Sequence, residues 1–196
     1  MSREFIKSID LKLREICEQL GFKKKGYWFY KPLREDVQAT IGFMKAHYHM
    51  AGHTFIGVTV GVTFQQINRM FTELMELDKQ SNDNVVQTHI CYLMPDRKSE
   101  WEIIEGMDNT LAFDNLKTSI ERYALPFQER MSDIDCAFEY LLDDQVTSTM
   151  YLPIFYYLRG NKATGMKIIE KAVKRQQGRD PHFLKYAENY RNLPTL

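Results

Sequence analysis

The chain has 196 residues, the size of one domain with a small appendage, and carries 26 basic and 26 acidic side chains. Because the net charge is zero, no overall field draws a polyanion or an anionic membrane to the protein. The three cysteines lie far apart in sequence, and the N-terminal residues are charged where a signal peptide would be apolar. We therefore expect a cytoplasmic protein with reduced thiols, outside the membrane.

The first residues predict an amphipathic helix, because apolar side chains recur at spacings of three and four over residues 2–20. Gly21 follows where a left-handed residue commonly ends a helix. The lysines at 23–25 then fall in a predicted loop, near the carbonyl groups of the helix C-terminus. Lysines beside aromatic residues also occur in single-stranded nucleic-acid sites, but a helix end and a loop account for them, and we do not expect nucleic acid to bind.

Consecutive aromatic residues at 27–30 predict a strand, which Pro32 is expected to stop. Successive side chains of a strand point to opposite faces, so only one pair of these aromatics enters the core directly. Trp28 and Tyr30 share a face. We take them as candidates for a surface patch that binds a protein partner.

The clearest strand signals in the chain predict an antiparallel hairpin. Residues 36–48 and 54–64 both alternate apolar residues with polar or small ones. In the second strand the small residues share one face, which comprises Gly57, Thr59, Gly61 and Thr63. Such a flat face fits either solvent or a closely approaching element.

A second hairpin is predicted from residues 85–95 and 99–106, joined by a turn that Pro95 opens. The order of helix, strands, helix, strands and helical tail predicts an α+β fold with a mostly antiparallel sheet. We expect residues 1–145 to form the α+β domain and residues 146–196 a helical C-terminal extension packed on it as one structural unit.

After Asp108 the sequence pattern is helical throughout. One helix is expected to end near Pro126, and Ser132 with Asp135 resembles a capping box that starts the next. A helical hairpin is then expected to turn at Gly160.

Four blocks of the sequence resemble a bacterial family known as domain-of-unknown-function family 4304. They are "LREICEQLGFKKKGYWFYKP", "DVQATIGFMKAHY" with "FIGVTVGV", "CYLMPDRKSEWEI" and "ERYALPFQERMSDIDCAFEYLLDD", and they span roughly residues 5–145. The resemblance implies no reaction, cofactor or catalytic residue. By association, it suggests an immunity-type protein that neutralises a toxin.

The best candidate for metal binding is the histidine cluster His47, His49 and His53 in the first hairpin loop. If strand geometry persists, His47 and His49 share a face and can reach one ion, with His53 as a third ligand. Structural zinc usually takes four ligands and no cysteine lies nearby, so a solvated loop is the simpler interpretation. We expect no bound cofactor.

Other catalytic chemistry has weak support in the sequence. Asp96, Glu100 and Glu102 supply carboxylates for a metal-dependent nuclease, but no lysine follows in the required arrangement. The nucleophile elbow and the glycine-rich phosphate loops are missing. A protein without enzymatic activity is therefore the expectation.

The segment Met150–Leu158 is apolar on nearly every side, so it faces either the rest of the fold or a partner. Tyr151 and Phe155 from this segment join Trp28 and Tyr30 as candidate partner-binding residues, because aromatic residues dominate interface centres. The sequence thus favours a protein-binding module, with a toxin domain or a second copy of the chain as the partner. The alternative is a ligand-binding protein or an enzyme, with its site on the small-residue sheet face near His47, His49 and His53.

Overall fold

The computed structural model describes residues 2–47, 50–79, 81–143, 148–176 and 181–196. It confirms the α+β class, with a six-stranded antiparallel sheet in which β1 to β5 are neighbours in sequence order and β6 also pairs with β4. The strands are β1 (Lys23–Lys25), β2 (Trp28–Arg34), β3 (Val37–Ala46), β4 (His53–Phe64), β5 (Val86–His89) and β6 (Trp101–Ile104).

Helices precede, interrupt and follow the sheet. They are α1 (Arg3–Gln19), α2 (Gln65–Met75), α3 (Thr110–Ser119), α4 (Leu125–Met131), α5 (Ile134–Asp143), α6 (Ser148–Leu158), α7 (Lys162–Gln176) and α8 (Pro181–Asn192). A 3-10 turn covers Ile90–Tyr92, and a π-helical segment covers Ile120–Ala124. Within the part of the chain that the structure describes, the helices are too short or too polar to cross a lipid bilayer.

The residues form two compact units by their contacts. The first comprises Met1–Val62 and Gln87–Ser132, and the second comprises Thr63–Val86 and Asp133–Leu196. This grouping differs from the expected ranges 1–145 and 146–196, because α2 packs with α6 and α8 although it precedes them by many residues in sequence.

Helix α1 forms where the periodicity predicts it. The hydroxyl of Ser2 accepts a hydrogen bond from the Phe5 N–H and caps the first turn. The apolar stripe is buried, and burial raises the pKa of the Cys17 thiol to about 12, with a smaller contribution from the neighbouring Glu18. Cys17 thus packs as a buried small hydrophobe, whereas Cys91 and Cys136 are half-buried.

Two expectations for the N-terminal strands were wrong. Residues 23–25 form the short edge strand β1 where a loop was expected, and its register pairs Lys23 with Tyr30 and Lys25 with Trp28. Strand β2 also continues through Pro32 to Arg34. The proline is accommodated where the ladder to β3 shifts at a bulge, a place where a missing N–H breaks little pairing.

The predicted second hairpin was also wrong. Strands β5 and β6 both pair with β4, and β6 aligns antiparallel to it from His53 opposite Ile104 to Ile56 opposite Trp101. Strand β4 is 12 residues long, so it can pair with two short strands in succession, which local sequence signals do not reveal.

The helical half departs from its predicted boundaries at two points. The helix does not end near Pro126, because α3 runs through the π segment into α4. The proline directly follows the π segment, where the regular hydrogen-bond ladder of the helix is already altered. Asp133, and not Ser132, caps α5: its carboxylate accepts from the N–H groups of Asp135 and Cys136. The expected turn at Gly160 is present, with a φ of 72°.

Aromatic side chains form the core of the second unit. Phe155 packs edge-on against Phe64, with ring centroids 6.2 Å apart, and Tyr151 contacts Phe71 at 5.1 Å. The Tyr190 hydroxyl donates to the Pro153 carbonyl at 2.8 Å. This segment of α6 is therefore apolar all round because neighbouring elements of the same unit enclose it.

Candidate binding face of the sheet

The sheet of the first unit has one apolar face and one face rich in small residues. Ile41, Val58 and Val60 on the apolar face are fully buried. Gln128 from α4 binds the backbone of this sheet: its Nε2 donates to the carbonyl of Thr40 at 2.6 Å and to that of Gly61 at 3.2 Å. These two bonds join α4 to the backbone of β3 and β4.

Trp28 lies flat on Gly42, its direct cross-strand partner in β3. A Cβ atom at residue 42 would lie 2.7 Å from Cζ3 of the Trp28 ring and 2.9 Å from Cε3, closer than carbon atoms pack. Because glycine has no side chain, the indole ring can pack directly on the backbone of residue 42. One side of the ring covers backbone, and Trp28 as a whole remains half-exposed.

Met44 and His89 converge on the next glycine of this face. A Cβ atom at Gly57 would lie 3.4 Å from the Met44 methyl carbon and 3.1 Å from Nε2 of His89. The other ring nitrogen of His89, Nδ1, accepts from the Cys91 N–H at 3.3 Å, which fixes the ring orientation. Burial lowers the pKa of His89, and the nearby Glu100 opposes this shift, so the imidazole is neutral at pH 7.

We call the surface formed by Trp28, Gly42, Met44, Gly57 and His89 the open face. Its central side chain, Met44, is 56% exposed although it is large and apolar. A methionine on a glycine-lined surface between an indole and an imidazole is flat, apolar and adaptable in shape. These are properties of a binding surface.

Charged and aromatic side chains border the open face. By the strand register, Lys23 and Lys25 point to the same side of the sheet as Tyr30 and Trp28. Tyr27, in the turn before Trp28, is 95% exposed. The β1 border of the open face is therefore basic and aromatic.

The four aromatic residues proposed for partner binding differ in their exposure to solvent. Trp28 and Tyr30 are half-exposed on the small-residue face of β2. Tyr151 and Phe155 are only 5% and 1% exposed, and they pack within the second unit. They contribute to the core, so we no longer place them on a binding surface.

The histidine loop is only partly described, because His49 lies outside the described residues. Nδ1 of His47 lies 3.3 Å from the hydroxyl of Thr54, and Nδ1 of His53 lies 2.7 Å from a carboxylate oxygen of Glu102. Residues 53 and 54 point to opposite faces of β4, so the two imidazoles engage different sides of the strand. Among the described residues, no cluster of three potential ligands could hold a metal ion. Metal binding in this loop stays a prediction that the described geometry does not favour.

Sequence reasoning missed Met44 and His89 as contributors to the open face, and Gln128 as a donor to the sheet backbone. The available signal was the glycines within strands, since a glycine there often marks a place where another group approaches closely. The sequence alone does not identify the approaching group. His89 comes from β5 and is distant in sequence from Gly57, which it covers.

Comparison with known proteins identifies one family. The model of the family described as "Domain of unknown function (DUF4304)" matches residues 13–130, more than half of the chain. The matched segment includes the open face and its basic border. No curated protein and no solved structure matches the chain.

Proposed function

The chain belongs to the DUF4304 family, and we propose that it is a non-enzymatic protein-binding module that receives its partner on the open face. The observation that carries this proposal is the position of Met44, exposed on a glycine-lined surface between Trp28 and His89. Methionine and aromatic residues are enriched at the buried centres of interfaces.

Burial of the apolar surface of the open face would stabilise a complex with a partner. Burying a large apolar side chain stabilises a complex by roughly 1.5–3 kcal/mol when the whole side chain leaves water. More than half of the Met44 surface is available for this, together with the outer side of Trp28. These two residues are therefore the expected energetic centre of the interface.

The basic border defines the chemistry of the partner. Lys23 and Lys25 lie beside the open face, so the complementary surface carries an apolar centre and carboxylates along one edge. As its specific form, we propose an immunity-type protein that blocks a toxin domain sterically. This mode of action requires a complementary surface and no catalytic group. Because all three thiols are free, we place the protein in the cytoplasm.

A charge at the centre of the open face tests this proposal. Met44→Glu places an acidic group where the partner's apolar surface would pack, and Met107→Glu is the matched control because Met107 is 66% exposed in the turn after β6. Both variants and the unmodified protein serve as bait in extracts of the native host.

The proposal predicts a protein that the unmodified bait and Met107→Glu capture but Met44→Glu does not. Circular dichroism checks that both variants are folded. Equal capture by all three baits would show that binding occurs elsewhere, and the open face would then not be the docking surface.

A further inference from the structure

Helix α7 carries a concentration of positive charge that the neutral overall composition hides. It contains five lysine and arginine residues and a single acidic residue, Glu170. Four of these cations are exposed, and we call them the α7 stripe: Lys167, Lys171, Lys174 and Arg175.

Helical geometry places the α7 stripe on one surface. The residues follow one another at intervals of four, three and one, which keeps them on neighbouring parts of the helix surface. At a rise of 1.5 Å per residue, the stripe extends over ~12 Å. The four side chains, with Glu170, surround a shallow depression of about 390 Å³.

Four cations of the stripe face one acidic side chain, Glu170, and no ion pair within the described part of the chain neutralises them. Other cations of the same unit have one: Lys185 pairs with Glu76, and Arg159 pairs with Asp135. None of the ion pairs found among the described residues involves a member of the stripe. Like charges four residues apart destabilise a helix, and the stripe contains two such pairs, Lys167 with Lys171 and Lys171 with Arg175. A bound anion would remove this repulsion.

We propose that the α7 stripe is a binding site for the phosphate backbone of double-stranded nucleic acid. Phosphates of one strand follow at about 3.4 Å along the duplex axis, so ~12 Å of helix faces three to four of them. Helix α7 contains no aromatic residue for stacking on unpaired bases, which favours a duplex over a single strand. Contacts of this kind are independent of base sequence.

The lysines at 23–25 do not offer a comparable surface, although they are consecutive in sequence. Lys23 and Lys25 share a face with Tyr30 and Trp28, whereas Lys24 points the other way, with its Nζ 5.9 Å from the centroid of the Phe29 ring. A strand divides three adjacent charges between two faces. A helix instead brings charged residues that are three or four positions apart in sequence onto one side.

Two triple variants of the full chain provide a matched test. In the first, Lys167, Lys171 and Lys174 become glutamine, and in the second Lys23, Lys24 and Lys25 do. All six side chains lie at exposed positions, so the substitutions should leave the fold intact. The probe is a fluorescein-labelled 20-base-pair DNA duplex of random sequence, and fluorescence anisotropy reports binding at several salt concentrations.

Four phosphate contacts predict a slope of about −3.6 in a plot of log K against log salt, since each contact contributes about 0.9. The substitutions in α7 should reduce the slope to about −0.9, and those in β1 should leave it unchanged. Absence of duplex binding by the unmodified chain at low salt would overturn the proposal, as would an equal loss in both variants. Competition by polyglutamate as strong as by unlabelled duplex would also overturn it, because the stripe would then be a site for acidic peptides.

Discussion

Replacing Gly42 with alanine tests whether Trp28 is seated as described. The new methyl group would lie 2.7 Å from Cζ3 of the indole, 2.9 Å from Cε3 and 3.0 Å from Cη2. Carbon atoms pack best at about 3.5–4.0 Å, so the ring must retreat by about 1 Å and lose its contact with the strand. Overpacking of this kind costs typically 1–3 kcal/mol. We expect Gly42→Ala to destabilise the protein by about 2 kcal/mol.

The same substitution should have the opposite effect when the indole is absent. In a Trp28→Ala background nothing from residue 28 opposes the methyl group, and alanine in a strand is favoured over glycine by about 0.5–1 kcal/mol. Urea unfolding, followed by far-ultraviolet circular dichroism, gives the free energy of unfolding for the four proteins of this double-mutant cycle. If Gly42→Ala changed stability by the same amount in both backgrounds, the two residues would not be in contact and the described open face would be incorrect.

Three further predictions concern other parts of the molecule. Gly165→Ala would place a methyl group against the hydroxyl of Tyr190 and 2.9 Å from the Pro153 carbonyl oxygen, so we expect a loss of about 1–3 kcal/mol, seen as a lower Tm. Gln128→Ala would leave two strand carbonyls without their donor and should cost about 1–3 kcal/mol in urea unfolding, whereas a neutral outcome would mean that the bonds contribute nothing. Because burial lowers the pKa of His89, the unfolded chain takes up the proton first; stability should fall as the pH drops below the ordinary value of about 6.5, and His89→Gln should weaken that dependence.

Local sequence patterns correctly predicted the elements that depend only on residues close together in sequence. The stripe of α1, the alternation of β4 and the turn at Gly160 each depend on residues close in sequence. The α+β class follows from the order of such elements.

The pairing and packing of elements that are distant in sequence could not be predicted from local patterns. Strands β5 and β6 look like a hairpin in sequence, yet both pair with β4, because the choice of a strand's partner depends on the whole sheet. Likewise, the apolar segment around Tyr151 fits a core and an interface equally well until the surrounding aromatic residues are placed. The open face depends on Gly42 and Gly57, whose covering groups come from β2, β3 and β5.

The most direct test of the central claim is photo-crosslinking from the open face in cells that produce the protein naturally. A photo-reactive amino acid replaces Met44 in one version and Met107 in the other. The proposed function predicts a covalent adduct with a different protein from position 44 and none from position 107. No adduct at position 44, or an adduct only with a second copy of the chain, would contradict the claim that this surface receives a heterologous protein partner.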